Sequence, residues 1–374
     1  MKYFFSTGEA SGESAAIALA QAIAQLDPAA RFEGIGSDAM REAGFHLWRD
    51  HAGWASMGPL AAIPRIPKLL AAMLQTAFHL IASKPDIVVL VDFGVFNLRL
   101  ASTLRRFGYA GPIVDLFPPG TWLDDAEKAR RVSDLTVAVT AFKHQCDFYR
   151  RLGYPIHFFG HPLADRYAMR APIRVPESDG GVVAILPGSR AGELRRHLPV
   201  LAAAYRVLQE RRPRLRGVFA AANARAASRI AQTVEREGLT GIRIVRGVAD
   251  ALAEADGAWA ASGTAVLETA LAGIPVVALY VIPPILIWYG RRMVRHRFIT
   301  LPNLVLGREV VPELLQDRAT PSALADTLAQ LLEHPEAQLR DFVALRAALG
   351  PNGALRQCAR LAVDLAARRT PALG

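Results

Sequence analysis

Phe4-Phe5-Ser6-Thr7-Gly8-Glu9-Ala10-Ser11-Gly12-Glu13-Ser14 is a short apolar run followed by a glycine-punctuated turn, and Ala15-Ala16-Ile17-Ala18-Leu19-Ala20 behind it reads as helix. Strand, tight turn, helix is how a wound α/β unit opens. Gly8 and Gly12 permit a positive φ or close approach of a ligand. Ser11 is placed to cap the helix, whose first N–H groups would then face the loop and suit a hydroxyl-rich or anionic ligand. Glu9 is unexpected in such a loop. It accepts hydrogen bonds from a sugar or simply from backbone N–H groups. The spacing is not that of the dinucleotide fingerprint.

The same rhythm continues outward. Arg31-Phe32-Glu33-Gly34-Ile35-Gly36 is a second strand ending in glycines. From Lys68 a helix is expected, with Leu70, Met73, Leu74, Ala77, Phe78 and Ile81 on one face, either as core or, with Arg65 and Lys68 at its start, as a lipid-facing stripe. Pro85-Asp86-Ile87-Val88-Val89-Leu90-Val91-Asp92 is almost continuously apolar, as in a parallel sheet covered on both faces. It ends on Asp92. Ligands of open parallel sheets bind outside the carboxyl ends of the strands, so an acid there is a candidate site residue. The competing reading is a cap for a helix starting near Asn97. Pro112-Ile113-Val114-Asp115-Leu116-Phe117 and Leu135-Thr136-Val137-Ala138-Val139 are further strands, and the rigid loop through Trp122 lies at the same edge. His161, between Gly160 and Pro162, reads as a structural hydrogen-bonding group.

A polar, proline- and glycine-rich stretch over residues 171–181 marks a linker between a domain at 1–170 and one at 182–374. Beyond it the pattern restarts. Val182-Val183-Ala184-Ile185-Leu186 is a strand, and Pro187-Gly188-Ser189-Arg190-Ala191-Gly192-Glu193 leads into a helix. Gly188, Ser189 and Arg190 suit a diphosphate: backbone N–H groups approach it and the guanidinium adds a forked contact. Ser262-Gly263-Thr264 opens another helix, with Glu268 one turn behind Thr264. That combination suits phosphate and ribose together. Alternating strands and helices in both halves give two Rossmann-like domains facing across a cleft.

At 374 residues the chain is long for one core. It is 52% hydrophobic and 21% charged, which is globular rather than disordered. A net charge of +10 favours anionic partners. Nucleic acid is not among those expected, because the basic residues are dispersed and no recognition module is present. Cys146 and Cys358 are far apart and imply no disulfide framework. No signal peptide is visible, so cytoplasm is the default location. The run from Val276 to Tyr289 holds Pro283-Pro284 and is shorter than the ~20 residues of a membrane span. Arg291, Arg292, Arg295 and Arg297 follow it. It is either an apolar surface with a basic collar or a buried strand entering a basic helix.

Gly8-Glu9-Ala10-Ser11-Gly12, Met57-Gly58, Asp92 with Phe96-Asn97, Gly160-His161-Pro162-Leu163, Leu186-Pro187-Gly188-Ser189-Arg190 with Glu193, Ser262-Gly263-Thr264 with Glu268, and Leu301-Pro302-Asn303-Leu304 with Gly307-Arg308 stand in one order. That ordered set resembles the lipid-A-disaccharide synthases, glycosyltransferase family 19, over about residues 3–330. The resemblance implies an α/β protein of GT-B type with no metal and no cofactor, using a UDP-sugar as donor substrate. It implies inverting transfer of a diacylglucosamine unit from UDP to 2,3-diacylglucosamine 1-phosphate. The partners implied are acylated sugars and an anionic membrane surface, at the cytoplasmic face of the inner membrane as a peripheral protein. A homodimer stays open, and so does a return of the last helices to the first domain.

Carried over by residue, Asp92 matches the acceptor-side base or positioning group, and Arg190 the arginine that meets the UDP diphosphate. Gly188, Ser189, Ser262, Gly263, Thr264, Glu268 and Asn303 fall in the nucleotide pocket. Glu9, Ser11, Gly12, Asn97 and Trp122 fall on the acceptor or cleft side. The chain departs from the family pattern at Val95, where a second aspartate is usual, and at Thr121-Trp122-Leu123, where Trp-Ala-Trp is usual. It also departs at Val281, after Tyr280, where arginine is usual, and at Glu13, where aspartate is usual. These changes touch the acceptor side more than the diphosphate loop. The alternatives are a related enzyme with another lipid or sugar acceptor, a UDP-sugar epimerase, or a binding protein without turnover.

Overall fold

The computed structural model describes residues 1–51, 54, 66–119, 124–167, 179–283 and 297–368. Trp122, Met57-Gly58, Arg65, Arg291, Arg292, Arg295 and most of the expected linker lie outside these residues. The chain divides into two compact units, Met1–Asp165 with Leu349–Gly374, and Arg166–Ala348.

The first unit runs β1 (Lys2–Ser6), α1 (Ala10–Leu26), β2 (Arg31–Gly36), α2 (Asp38–Glu42), β3 (His46–Asp50), α3 (Ile66–Ser83), β4 (Ile87–Val91) and α4 (Gly94–Arg106). It continues with β5 (Ile113–Leu116), α5 (Ala126–Leu135), β6 (Val137–Thr140), α6 (Lys143–Arg151), β7 (His157–Phe158) and α7 (Pro162–Arg166). Among the described residues its strands form one parallel sheet in the order β3-β2-β1-β4-β5-β6-β7. The order reverses between β1 and β4, which is where a wound sheet opens a crevice at the carboxyl ends of its strands.

The second unit runs β8 (Gly180–Leu186), α8 (Ala191–Arg211), β9 (Arg214–Ala221), α9 (Ala224–Arg236), β10 (Ile242–Arg246), α10 (Val248–Leu252), β11 (Gly257–Ala261) and α11 (Thr264–Leu271). Then follow β12 (Val276–Tyr280), α12 (Leu301–Leu306), β13 (Glu313–Leu315), α13 (Pro321–Glu333) and α14 (Glu336–Ala348). Its sheet order is β10-β9-β8-β11-β12-β13, with the reversal between β8 and β11.

The last helix, α15 (Ala354–Ala367), belongs to the first unit. Cys358, Ala359, Ala362 and Ala366 share a core with Ala16, Leu19, Ala20 and Ile23 of α1. Alanines on both helices allow that close approach. The Asp165 carboxylate accepts the Gly353 and Leu355 N–H groups, and the His161 N–H donates to Leu349 C=O at 2.9 Å, fixing the return.

Two details differ from the sequence reading, and a third decides between its alternatives. Leu135 ends a helix, and the strand after it starts at Val137. The apolar residues of α3 divide between two faces: Met73 and Ala77 are buried with Ala72, Thr76 and Leu80, whereas Leu70, Leu74 and Phe78 are exposed with Ile66. With 18 residues and mean hydropathy 1.2, α3 is long and apolar enough to cross a membrane by length and composition, but its inner face is part of the first unit's core. Val276 to Tyr280, the start of the late apolar run, is a strand whose first four residues are buried, which is the buried-strand reading of that segment.

Candidate functional site

Two sets of candidate residues stand at the two switch points, one in each unit. In the first unit the turn after β1 lies beside the turn after β4. The residue before α1 is Glu9, with extended backbone, and Ser11 sits inside the first turn, so Ser11 is not the cap. The helix starts two residues earlier than a serine cap requires, because Glu9 C=O already accepts the Glu13 N–H at 3.0 Å. Gly12 lies against the β4 end: a Cβ there would be 3.2 Å from Val91 O and 3.3 Å from Asp92 Cβ. At Gly8 a Cβ would fall 2.2 Å from Phe93 Cγ. The opening glycines therefore make room for the Asp92-Phe93 turn.

That turn is strained. Asp92 and Phe93 both have φ of +53°, a left-handed conformation that costs non-glycine residues about 1–3 kcal/mol each. The Asp92 Oδ1 accepts the Phe93 N–H at 2.8 Å. Asp92 thus caps no helix: Phe93 occupies the position before α4, which starts at Gly94. Asn97, in the first turn of α4, is 1% exposed. Its Nδ2 donates to Asp92 C=O at 2.6 Å and to Ser6 C=O at 3.3 Å, and its Oδ1 accepts from the Ser6 hydroxyl at 2.6 Å. The sequence reading put Asn97 on the ligand side. The structure makes it the buried brace of the Asp92 turn. Glu13 is buried too, its carboxylate accepting from the Ser37 N–H at 2.5 Å and from the Ser37 hydroxyl at 2.8 Å. Val95 is 72% exposed.

In the second unit Gly188 has φ of +102° and lies against Glu193. Glu193, buried at the third position of α8, accepts the Ser189 and Arg190 N–H groups at 3.1 and 3.2 Å and a guanidinium N–H of Arg190 at 2.9 Å. Those two backbone donors, expected to approach an anion, are held by an internal carboxylate, because an acid three residues past the cap folds back onto the loop. Behind the loop, His197 is fully buried. Its Nδ1 donates to Pro187 C=O at 2.8 Å and its Nε2 accepts the Val281 N–H at 3.1 Å. Both nitrogens are engaged as in the neutral ring, and burial pushes the pKa down, against a smaller pull from the Pro187 carbonyl. Arg196 Nε donates to Val281 C=O at 2.8 Å. Val281, where the family usually has arginine, is gripped through its backbone, which leaves its side-chain identity less constrained.

Ser262-Gly263-Thr264 follows β11, with Gly263 and Thr264 exposed at the start of α11. The Ser262 hydroxyl donates to Ile299 C=O at 3.2 Å. Glu268 does lie one turn behind Thr264, but its Oε2 accepts from the Tyr167 hydroxyl, and burial raises its pKa. Asn303 is fully buried and its amide is spent internally. Oδ1 accepts the Val310 and Val311 N–H groups at 2.7 and 2.8 Å, and Nδ2 donates to Val311 C=O and to Glu313. It braces the segment from Val310 to Glu313, with both amide atoms engaged inside the chain. Glu313, 7% exposed, also accepts from the Ile299 N–H, the Thr300 N–H and the Thr300 hydroxyl, so it fixes the carbonyl that holds Ser262. The sequence reading passed over Glu313 and His197. An acid opening a strand and a histidine in a helix carry no local sign of such a role. Among the described residues no group of three His, Cys, Asp or Glu side chains is arranged to hold a metal.

Comparison with known proteins gives a family model, described as lipid-A-disaccharide synthetase, that matches residues 3–349. The lipid-A-disaccharide synthase of Pseudomonas aeruginosa (strain UCBPP-PA14) is 35% identical over 374 residues, 97% of each chain. That of Syntrophus aciditrophicus (strain SB) is 33% identical over 373 residues, 96% of each. Among solved structures, the UDP-GlcNAc 2-epimerase of Neisseria meningitidis superposes with a TM-score of 0.63 at 13% identity, covering 97% of this chain and 100% of that one. Acinetobacter baumannii MurG gives a TM-score of 0.53 at 14% identity, covering 97% and 99%. These two likenesses are of fold, and with the two wound sheets they give an α/β two-domain GT-B architecture.

Proposed function

Because the chain belongs to the lipid-A-disaccharide synthetase family, and is therefore a glycosyltransferase of lipid A biosynthesis, we propose that it moves 2,3-diacylglucosamine from UDP to 2,3-diacylglucosamine 1-phosphate with inversion. The observation that carries this reading is the position of Asp92 and Arg190, each at the carboxyl edge of a sheet beside its switch point. In the proposed step Asp92 takes the proton of the acceptor hydroxyl while that oxygen attacks the anomeric carbon. The anomeric bond to UDP breaks, UDP leaves with the electron pair, and Arg190 offsets the charge that develops on the diphosphate. Glu193 holds the Arg190 guanidinium towards its own loop at 2.9 Å, which limits the rotamers available to it. Gly188, Ser189, Ser262, Gly263, Thr264 and Glu268 form the nucleotide side of this reading, and Glu9 and Gly12 the acceptor side. No cofactor enters the step.

The exposed residues Ile66, Leu70, Leu74 and Phe78 recur every fourth position along α3, and the Phe107 ring lies 5.6 Å from that of Phe78. With Lys68 exposed on the same helix, this stripe fits an anionic lipid surface, and we place the protein peripherally at the cytoplasmic face of the inner membrane. Leu70→Ser with Phe78→Ser should reduce cosedimentation with vesicles containing anionic phospholipid. Unchanged binding would remove the helix from the proposal.

The test of the reaction is UDP release from UDP-2,3-diacylglucosamine with and without the 1-phosphate acceptor, alongside Asp92→Ala and Arg190→Ala. Acceptor-dependent release with a disaccharide product, lost in both variants, is the expected result. UDP bound but never released with this acceptor would refute the acceptor assignment, and release of a rearranged sugar without acceptor would point to an epimerase.

A further inference from the structure

One carboxyl group near the first switch point has no role in the step above. Asp115 lies on β5, paired with Leu90 of β4 on one side and Ala138 of β6 on the other. The Asp92 N–H donates to the C=O of the next residue, Leu116, at 3.0 Å. Side chains alternate along a strand, so Val114 and Leu116 point to the face covered by α1 and α15, where they join that core. Asp115 points to the opposite face, which α4, α5 and α6 cover, one layer below the end of β4. It is 1% exposed, and among the described residues neither carboxylate oxygen has a hydrogen-bond partner.

Among the described residues no donor hydrogen-bonds this carboxylate, and the buried Tyr149 hydroxyl likewise has no hydrogen-bond partner. Ala138, Leu98, Ala129 and Val132 form an apolar cluster at this place, completed by Cys146, Tyr149 and Ile156. The titratable groups that interact with it are Asp92 from the end of β4 and Tyr149 from α6, and Cys146 of α6 lies in the same apolar cluster. Tyr149 is a neutral phenol whose pKa is raised by its own burial and then by the Asp115 charge, and the Cys146 thiol is raised by burial. No arginine or lysine among the described residues pairs with Asp115. A buried carboxyl with no partner sheds its charge rather than stay ionised.

We propose that Asp115 is a positioning residue for Asp92: a proton-bearing carboxylic acid one layer beneath it that keeps a single negative charge at the end of β4. The proposal rests on the reading of Asp92 as the acceptor-side base. Burial first, and then the Asp92 charge, push the Asp115 carboxyl up to about 8. Through neutral pH Asp115 therefore keeps its proton and adds no second charge beside Asp92. Above about 8 a second charge appears in a site of low dielectric, opposes the first, and disturbs the strained turn that aims it.

Two measurements test this. In protein labelled with ¹³C at the aspartate carboxyls, one resonance should titrate with a midpoint near 8, vanish in Asp115→Asn, and move to lower pH in Asp92→Asn, where the opposing charge is gone. In the turnover assay, Asp115→Asn keeps shape and neutrality. It should hold within about threefold of the wild-type kcat at pH 7 and lose the fall in kcat that the parent shows between pH 7.5 and 9, with KM unmoved. The proposal is overturned if every aspartate resonance titrates below pH 6, if the high one ignores Asp92→Asn, or if the two pH profiles coincide. Should Asp115→Asn not fold, the parent titration and its response to Asp92→Asn still decide. If Asp92→Ala retains turnover while Asp92→Asn still lowers the midpoint of the high resonance, it is the Asp92 base reading that fails and not the interaction of the two acids.

Discussion

Replacing Asn97 tests the idea that the Asp92 turn is held from behind. Asn97→Ala leaves the Asp92 carbonyl and the Ser6 hydroxyl without the partners they have at 2.6 Å, in a place 1% exposed. Each stranded buried group costs about 1–3 kcal/mol, and a hydroxyl rotates to find another acceptor more readily than a carbonyl does, so the loss should be about 2–4 kcal/mol. For a unit of this size that is a fall in Tm of roughly 5–12 °C. Asn97→Asp preserves the shape but puts an oxygen where an N–H₂ now faces the carbonyls of Ser6 and Asp92. It should be worse than alanine, although it is the closer isostere. Freed from Asn97, the left-handed pair at Asp92 and Phe93 relaxes towards ordinary φ and the carboxylate loses its aim. Urea melts followed in the first unit, with kcat and UDP affinity on the same preparations, check this. The expected pattern is lower stability, kcat down at least tenfold, and UDP affinity unchanged. The reasoning fails if alanine costs less than about 0.5 kcal/mol, if aspartate is tolerated better than alanine, or if UDP affinity alone falls.

Three further predictions follow from the same geometry. Gly8→Ala puts a Cβ 2.2 Å from a Phe93 ring that is already packed on Trp54 and Phe96, so it should cost about 1–3 kcal/mol and lower kcat without weakening UDP binding; an unchanged kcat would show that the ring moves freely. Glu193→Ala removes the carboxylate that holds Ser189, Arg190 and the guanidinium, and titration calorimetry should find UDP bound about tenfold more weakly, a difference of about 1.4 kcal/mol; tighter binding would mean that Glu193 competes with the diphosphate instead of shaping its loop. His161 is buried, its Nδ1 accepts the Leu163 N–H, and burial pushes its pKa down to about 4. The unfolded chain therefore binds the proton first, so stability is intact above about pH 6.5 and falls as pH drops towards 4, by at most about 3 kcal/mol. His161→Gln should flatten that part of the urea-midpoint profile between pH 7 and 4.5, and a profile parallel to the parent's would place the acid sensitivity elsewhere.

Much of the fold is legible because glycines and strand ends are local. The runs Ile87–Val91 and Val182–Leu186 are apolar throughout, as strands covered on both faces must be, and each ends where an acid or a glycine turn takes over. From that alternation the places of Asp92 and Arg190 after the carboxyl ends of strands can be anticipated, whereas the reversal of strand order beside them comes from the folded sheets. The turn at Asp92 and Phe93 could not be, since nothing in the local sequence fixes two successive residues at positive φ, and the Asn97 amide that braces them reaches back from the next helix. Asp115 left a faint mark, an acid inside an apolar strand, but a strand also carries acids on solvated faces, and which face α4, α5 and α6 cover is settled only by the folded sheet.

A motif shared with a family names residues without separating those that meet a ligand from those that hold the others in place. Asn97, Glu193 and Asn303 all stand in such motifs, and all are spent on internal hydrogen bonds. The physical distinction is burial. A polar side chain almost without exposure, its donors and acceptors matched inside the chain, has no capacity left for a substrate, whereas Gly263 and Thr264 are exposed at the start of their helix. Substitution should follow that division. Changing a brace lowers stability and kcat together, and changing an exposed residue such as Thr264 weakens the ligand while leaving the melt alone. The altered positions obey it too. Val95 is largely exposed and Glu13 is buried against Ser37. Val95→Asp is therefore free to change acceptor selection at no cost in stability, whereas Glu13→Asp shortens an internal contact and should lower the melting temperature without altering the product.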